Sequence, residues 1–339
     1  MKRVLLRTAA ALVAVASLMG TALAQDFSFR FQSSDPAGNP NFEYQKGWTN
    51  LVAERSGGKI KIELLPVGSV AEYNETLDAV AAGILDGQIC DSSYWAGKDP
   101  AFGLISNPVG AWSDPTQMID FVENGGGKEI MQELLGSYGL HFIGVSTPGL
   151  EAFVSRVPLD GVDDLKGVKV RSPEGPIANV FAAAGAAPVN LPASEVYTSL
   201  DKGVVDAADY SVFSVNQQQG LNKVANHPVY PGFHSLPLVE VSMNKAKWEA
   251  LPDDVKTMLE ETVKDFQQTQ INGLKAADQK ALEAAKADGS ITIHDWSAEE
   301  RTKFRALAVA EWERIAKGSP MSQKVFDTLT IYLKEKGLL

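Results

Sequence analysis

Polar and aromatic residues stand at the predicted ends of several β-strands in this 339-residue chain. Tyr94 and Trp95 follow a short apolar strand, Arg171 ends a second strand, and Asp209 and Tyr210 end a third. In open α/β sheets, ligands collect at the carboxyl ends of the strands. Arginine is a natural partner for a carboxylate because its planar donor fork matches the two oxygens. The pattern therefore predicts a pocket for a small carboxylate, with aromatic walls.

Three further residues are candidates for the same pocket. Phe213 comes soon after the third strand, and His234 stands beside aromatic residues. Glu240 lies inside an apolar strand, where a buried carboxylate needs a partner. Structural roles stay open for several candidates: a surface position for Arg171, core packing for Tyr94 and Trp95, and an exposed strand edge for Glu240.

Motifs of common enzymes are absent from the sequence. It contains no G-x-S-x-G, no phosphate-binding G-x-x-x-x-G-K-[ST] and no H-E-x-x-H. The four histidines are far apart and show no ligand spacing, and the single cysteine, Cys90, excludes a disulfide scaffold. We therefore expect a binding protein that is not an enzyme. A periplasmic lyase or hydrolase acting on a small carboxylate in the same pocket is the alternative.

The elements that must position these residues alternate between strand and helix. Strand and helix patterns follow one another from Phe27 to Ser92, and a second such series runs from Glu151 to Asn244. Each series predicts a mostly parallel sheet with helices on its faces. Two similar series in succession indicate an α/β fold with two lobes and not one extended sheet.

The last third of the chain is mostly helical. Helix-forming residues run from Pro252 to Asp288 with Gly273 as the weak point. A helix of that length would extend about 54 Å, so it either bridges the lobes or breaks near Gly273. We expect lobe I at 25–148, completed by about 238–290, and lobe II at 149–237. Residues 291–339 are expected to form a short strand and helices that pack on the lobes.

The first 24 residues have the features of a secretory leader. Lys2, Arg3 and Arg7 precede a short apolar stretch that ends in the small residues around Ala24. We expect cleavage after Ala24 and export to a bacterial periplasm. Acidic residues outnumber basic ones by 42 to 31, which argues against a nucleic-acid partner. A monomer is the default expectation.

Seven segments along the mature chain form a recognisable series: Leu65–Gly68, Leu77–Val80, Ser93–Phe102, Val162–Arg171, Val205–Asp209, Tyr230–His234 and Asn244–Pro252. In content and in order they resemble the solute-binding subunits of tripartite ATP-independent periplasmic (TRAP) transporters, the DctP-like family, which have a two-lobed periplasmic binding protein fold. The resemblance favours the branch that binds 2-oxo acids and related monocarboxylates.

The resemblance implies a receptor whose two lobes close on a small carboxylate, a 2-oxo or 2-hydroxy monocarboxylate being favoured, and deliver it to integral membrane subunits. It implies that Arg171 grips the carboxylate and that Asp209 and Tyr210 line the pocket, where the branch carries Glu and Trp. Glu240 matches a carboxylate that helps to hold a cation in that branch. A receptor that reports to a sensor domain would use the same cleft and stays open.

The branch places a glutamine cation ligand where this chain has Leu150, with Glu151 next to it. Glu151, Asp209 and Glu240 would then stand against one arginine, and clustered like charges either raise a pKa or recruit a cation. No cofactor is required by this interpretation, but Ca²⁺ or Na⁺ bridging the ligand is an open possibility.

Overall fold

The computed structural model describes residues 26–339. The predicted leader, residues 1–24, lies outside these residues and stays a prediction. Across 26–339, every helix falls short of the length and hydrophobicity that a membrane span needs.

The first sheet has five strands in the order β2-β1-β3-β9-β4. β1 is parallel to β2 and β3, whereas β9 is antiparallel to both β3 and β4. The chain therefore leaves this sheet after β4 and returns much later to place β9 between β3 and β4. The strands are β1 (Phe27–Ser33), β2 (Ile60–Leu65), β3 (Gly87–Asp91), β4 (Leu140–Ser146) and β9 (Val239–Asn244).

The second sheet has four strands in the order β5-β8-β6-β7. β6 is parallel to β7 and β8, and β5 is antiparallel to β8. Parallel neighbours place their carboxyl ends at one edge, which brings the ends of β6 and β8 together. The strands are β5 (Ala152–Ser155), β6 (Lys169–Arg171), β7 (Ala187–Val189) and β8 (Ala207–Ser211).

Thirteen α-helices occur within residues 26–339. Several begin at a residue whose side chain accepts a hydrogen bond from the first turn, as at Asn39, Asp99, Asp114 and Ser297. The helices are α1 (Pro40–Arg55), α2 (Thr76–Ala81), α3 (Pro100–Ser106), α4 (Pro115–Asn124), α5 (Gly127–Ser137), α6 (Pro176–Ala183), α7 (Val196–Asp201), α8 (Phe213–Gln218), α9 (Leu221–Val224), α10 (Lys245–Glu249), α11 (Asp253–Asp288), α12 (Ala298–Ala316) and α13 (Pro320–Glu335).

α11 is one unbroken helix of 36 residues. It packs on α1 and β4 beside the first sheet and on α8 beside the second. Gly273 does not break it. A Cβ at this position would lie 2.0 Å from the Tyr44 hydroxyl, so the glycine permits the close approach of α1. The predicted class, a two-lobed α/β fold with a long helix spanning both lobes, is confirmed.

The C-terminal segment differs in one detail from the expectation. Residues 291–296, expected to form a strand, make a single β-bridge through His294 to Val229. The remaining chain forms α12 and α13, which pack on each other and on α3. Cys90 is fully buried in the core beneath the first sheet. The lobe limits given above stay a prediction.

Candidate functional site

Arg171 is the last residue of β6, and only 4% of it is exposed. Its Nε donates a hydrogen bond to the Leu191 carbonyl at 3.0 Å, and Nη1 donates to the Asp209 carbonyl at 2.5 Å. The third nitrogen, Nη2, donates to no group within residues 26–339. Two carbonyls therefore fix the guanidinium while one nitrogen stays available. This arrangement suits a ligand carboxylate, which accepts charge-assisted hydrogen bonds.

Glu151, Asp209 and His234 form a buried group beside the arginine. One ligand atom of each residue lies within 4.8 Å of the others, and His234 Nε2 is 3.1 Å from Asp209 Oδ1. Burial and the neighbouring Asp209 raise the pKa of Glu151 well above its usual range. Burial tends to raise the pKa of Asp209 as well. The hydrogen bond from His234, the charge of His234 and the charge of Arg171 outweigh burial, so the pKa of Asp209 is lowered. The two carboxyls therefore share one proton, which Glu151 holds.

This group overlaps only in part with the predicted cation ligands. It contains Glu151 and Asp209, but His234 takes the third place instead of Glu240. Ca²⁺ takes six to eight oxygen ligands. The group offers two carboxyls, one of them protonated, and an imidazole whose Nε2 already contacts Asp209. These donors alone fit a hard cation poorly, so ligand oxygens would have to complete the coordination.

Glu240 lies within the first sheet, on the interior strand β9. Its Oε1 accepts a hydrogen bond from Gln88 Nε2 at 2.7 Å, and its side chain is fully buried. Its Oε2 and the Gln88 Oε1 are both buried without a partner in the described part of the chain. Burial raises the pKa of Glu240 to about 8. A protonated, structural carboxyl is the state that this environment favours.

Two aspartates that the sequence analysis did not single out stand at the carboxyl ends of neighbouring strands. Asp35 follows β1 and Asp91 ends β3; each lies two residues beyond the last paired positions, Ser33 and Ile89. Gln45 donates to Asp35 at 2.8 Å. Burial, and to a smaller extent Asp91, raises the pKa of Asp35 to about 6. Burial likewise raises the pKa of Asp91.

Two tyrosines stand between these aspartates and Arg171. Tyr94 packs edge-on against Tyr73 at 4.9 Å, and the Tyr210 hydroxyl accepts a 3.4 Å hydrogen bond from Asn39. Burial raises the pKa of Tyr210 to about 12 and that of Tyr94 well above its usual range. The charges of Asp91 and Asp35 raise the pKa of Tyr94 further, the charge of Asp35 does the same for Tyr210, and Arg171 opposes the shift in both tyrosines. Both hydroxyls are therefore close enough to Asp35 on one side and to Arg171 on the other for each charge to affect them.

We call this region the interlobe cleft. It comprises residues at the strand ends of both sheets and on the segments that connect the sheets: Asp35, Asp91, Tyr94, Glu151, Arg171, Asp209, Tyr210 and His234. The prediction from strand ends named four of these eight residues, namely Tyr94, Arg171, Asp209 and Tyr210. The same rule points to Asp35 and Asp91, because each stands where a parallel strand ends.

Two predicted pocket residues are placed in the core. Trp95 is 1% exposed and packs edge-on against Phe102 at 5.5 Å. Phe213 is fully buried and its ring contacts Tyr230 at 5.1 Å. Aromatic neighbours pack against both rings, although the Trp95 Nε1–H is buried without a hydrogen-bond partner among the described residues. A ligand role for these two residues stays a prediction.

Two α/β lobes joined by crossing segments, with a polar cleft between them, define a bacterial solute-binding protein. The family model of bacterial extracellular solute-binding protein family 7, DctP, matches residues 31–319. The chain belongs to this family, which confirms the resemblance inferred from the sequence.

Solved structures and relatives agree with this assignment. The chain is 70% identical to a TRAP periplasmic solute-binding protein from Rhodobacter sphaeroides in an apo open form, with 92% of this chain and 99% of that one covered and a TM-score of 0.76. A TRAP solute-binding protein from Bordetella bronchiseptica, with calcium and picolinate in one site, is 20% identical over 92% and 93% of the two chains, with a TM-score of 0.85.

Among relatives compared by sequence, a monocarboxylate 2-oxoacid-binding periplasmic protein from Nostoc sp. is 29% identical over 242 residues. The match covers 70% of this chain and 66% of that protein, just under two thirds of its length. These proteins bind solutes, and the comparisons give no support to the enzyme alternative.

Proposed function

We propose that the protein captures a small organic carboxylate in the interlobe cleft and delivers it to the membrane subunits of a TRAP transporter. The observation that carries this proposal is Arg171, which is buried, fixed by two backbone carbonyls and left with one nitrogen to satisfy. That nitrogen points to no protein acceptor in the described residues, so a ligand carboxylate can accept a charge-assisted hydrogen bond from it.

Several relatives support a carboxylate as the ligand class. Structures of the same fold hold pyruvate with sodium in the protein from Pseudoalteromonas atlantica and malonate in that from Rhodoferax ferrireducens. The Nostoc relative is named for monocarboxylate 2-oxo acids. Within the carboxylates, 2-oxo and 2-hydroxy monocarboxylates are therefore the first compounds to test.

A bound cation is not required by this proposal. Calcium accompanies pyruvate in the structure from Colwellia psychrerythraea, and sodium accompanies it in the structure from Pseudoalteromonas atlantica. In this chain a proton on Glu151 already reduces the repulsion from Asp209. A cation that bridges the ligand would have to displace that proton, so its binding would strengthen as the pH rises.

Closure of the two lobes would seal the ligand from water. At 70% identity the fold within each lobe should be nearly the same, yet the open Rhodobacter sphaeroides structure gives a TM-score of only 0.76. A different angle between the lobes would give such a value, and we propose that a hinge motion relates the two forms. We further propose a periplasmic monomer, released from its leader after Ala24.

Substitution of Arg171 tests the proposal. Purified wild-type protein, Arg171→Gln and Arg171→Lys are titrated with pyruvate, lactate, malonate and picolinate, with CaCl₂ or with EDTA, by thermal shift and calorimetry. The exposed Arg156 provides the control variant Arg156→Gln. Loss of a buried charged partner costs about 2–5 kcal/mol, so Arg171→Gln should weaken binding by about 100-fold. Affinity within threefold of wild type in a folded Arg171→Gln protein would refute the assignment.

A further inference from the structure

The interlobe cleft contains more acidic than basic side chains. Asp35 and Asp91 stand on the wall from the first sheet, and Glu151 and Asp209 stand on the opposite side with Arg171. The negative charge of the pair Glu151–Asp209 is reduced by the shared proton and balanced by His234 and Arg171. Asp35 and Asp91 have no such partner: neither carboxylate lies within 4.0 Å of a basic group anywhere in residues 26–339. A positively charged group on the ligand would balance these two carboxylates.

The positions of the two aspartates bring their carboxylates to one place. β1 and β3 are adjacent and parallel, and Asp35 and Asp91 occupy equivalent positions beyond the last paired residues. Neighbouring strands lie about 4.8 Å apart, so two acceptors at these positions suit one small donor group. Both residues are half-buried, so each keeps surface that a ligand can contact.

The hydrogen bonds already made by the aspartates argue against a metal ion at this wall. Asp35 accepts from the Gln45 amide, while Asp91 accepts from the Ser93 backbone N–H and the Ser106 hydroxyl at 2.8 and 2.7 Å. These neighbours donate hydrogen bonds to the carboxylates, so their own oxygens are not offered as additional ligands for a metal ion. A Ca²⁺ or Na⁺ ion would find too few oxygen ligands here, whereas an ammonium group needs only acceptors.

The proposed function places the carboxylate of the ligand at the free Nη2 of Arg171. The half-buried Tyr94 and Tyr210 both feel the charges of Arg171 and of Asp35, so the two ends of the region are close enough for one small ligand. We infer that the ligand is a carboxylate that carries a positively charged N–H group at its other end, which Asp35 and Asp91 receive. This inference rests on the proposed function, because the carboxylate end is the one held by Arg171.

Matched pairs of compounds test the inference. The probes are proline with tetrahydrofuran-2-carboxylate, and 4-aminobutyrate with 4-hydroxybutyrate; each pair differs mainly in the charged nitrogen. Titrations use the wild type, Asp35→Asn and Asp91→Asn, with Asp201→Asn as a control on an exposed aspartate. We expect the amino member of at least one pair to bind at least tenfold tighter. That preference should fall to threefold or less in either cleft variant and persist in the control.

The outcomes separate this inference from the proposed function. If carboxylates bind through Arg171 but the uncharged member of each pair binds as well as the amino member, the ammonium site is refuted and the carboxylate receptor stands. If binding is indifferent to Arg171→Gln, the proposed function itself fails. Binding of neither member of any pair at millimolar concentration also overturns the ammonium site. Thermal denaturation of both aspartate variants verifies folding, and either folded variant suffices for the test.

Discussion

Replacing Glu240 by Gln should make the protein more stable at alkaline pH. Glu240 is fully buried on β9, and Gln88 satisfies only one of its two oxygens. Glutamine has the same shape, keeps an acceptor for Gln88 Nε2 and brings an amide donor that needs no proton from solution. The buried Oε1 of Gln88 lacks a partner among the described residues and can accept a hydrogen bond from that new amide.

The expected size follows from proton linkage. Burial raises the pKa of Glu240 from its ordinary 4.5 to about 8. The folded state therefore holds a proton that the unfolded chain releases above its own pKa, so the free energy of unfolding falls as the pH rises between these two values. At about 1.4 kcal/mol per pH unit the loss reaches at most about 5 kcal/mol above pH 8. Above that pH no further loss comes from this group, and below the lower value none has begun.

Urea denaturation at pH 5.0, 6.5 and 8.5, followed by tryptophan fluorescence, measures this loss. Between pH 5.0 and 8.5 the wild type should lose about 2–5 kcal/mol more than Glu240→Gln. The other acids with raised pKa values titrate in both proteins and cancel in the difference. Glu54→Gln, at an exposed position of α1, is the control and should follow the wild type.

The reasoning is refuted if the difference between Glu240→Gln and wild type stays constant from pH 5.0 to 8.5. That result would mean that Glu240 is ionised in the folded protein or has a partner that the hydrogen bond from Gln88 does not reveal. Ligand titration of the same variant tests the role that the family resemblance implies. Unchanged affinity would assign Glu240 to the sheet, whereas a loss would place it in the cleft.

Two further substitutions test the packing that supports the cleft. Gly273→Ala adds a good helix former to α11, worth about 1 kcal/mol, but its Cβ would lie 2.0 Å from the Tyr44 hydroxyl, so we expect lower stability in urea denaturation. The same change in a Tyr44→Ala background should be neutral or stabilising, and a destabilisation of equal size there would contradict the clash. Phe213→Ala should cost about 3–5 kcal/mol of stability, because the ring is fully buried against Tyr230. Calorimetric affinity within threefold of wild type would agree with core packing, and a large loss would return Phe213 to the ligand pocket.

The rule that ligands gather at strand ends predicted much of the cleft. Arg171 ends β6, and Asp209 and Tyr210 lie near the end of β8, which ends at Ser211; the sequence pattern predicts both strands. Asp35 and Asp91 end strands as well, yet each is followed by residues typical of a turn or a helix cap, where aspartate is common. Their local role is real, since Asp91 accepts from the Ser93 N–H. Only the parallel pairing of β1 and β3 shows that the two stand side by side.

Some residues have surroundings that the sequence cannot predict, because strands far apart in the chain pair with one another. β9 joins the first sheet between β3 and β4, so Glu240 meets Gln88 from 152 positions away. β9 is buried on both faces, so neither face can be assigned to solvent from its sequence. The sequence therefore does not reveal which face of the sheet the Glu240 side chain occupies. Trp95 and Tyr94 are neighbours in one short turn, but only the tyrosine remains half-buried beside the cleft.

The position of the shared proton couples the ligand site to the connections between the lobes. The chain passes from β4 to the second sheet through residues 147–151 and returns to β9 through the segment that carries His234. The two passages are in direct contact, since the Glu151 N–H donates to the Ser235 carbonyl at 2.9 Å and a Cβ on Gly232 would lie 1.7 Å from the Glu151 carbonyl oxygen. Glu151 and His234 therefore belong at once to these passages and to the group that contacts Asp209. A ligand or cation that changes the charge of this group therefore acts on residues of both passages, so binding and the proposed hinge motion would share one set of side chains.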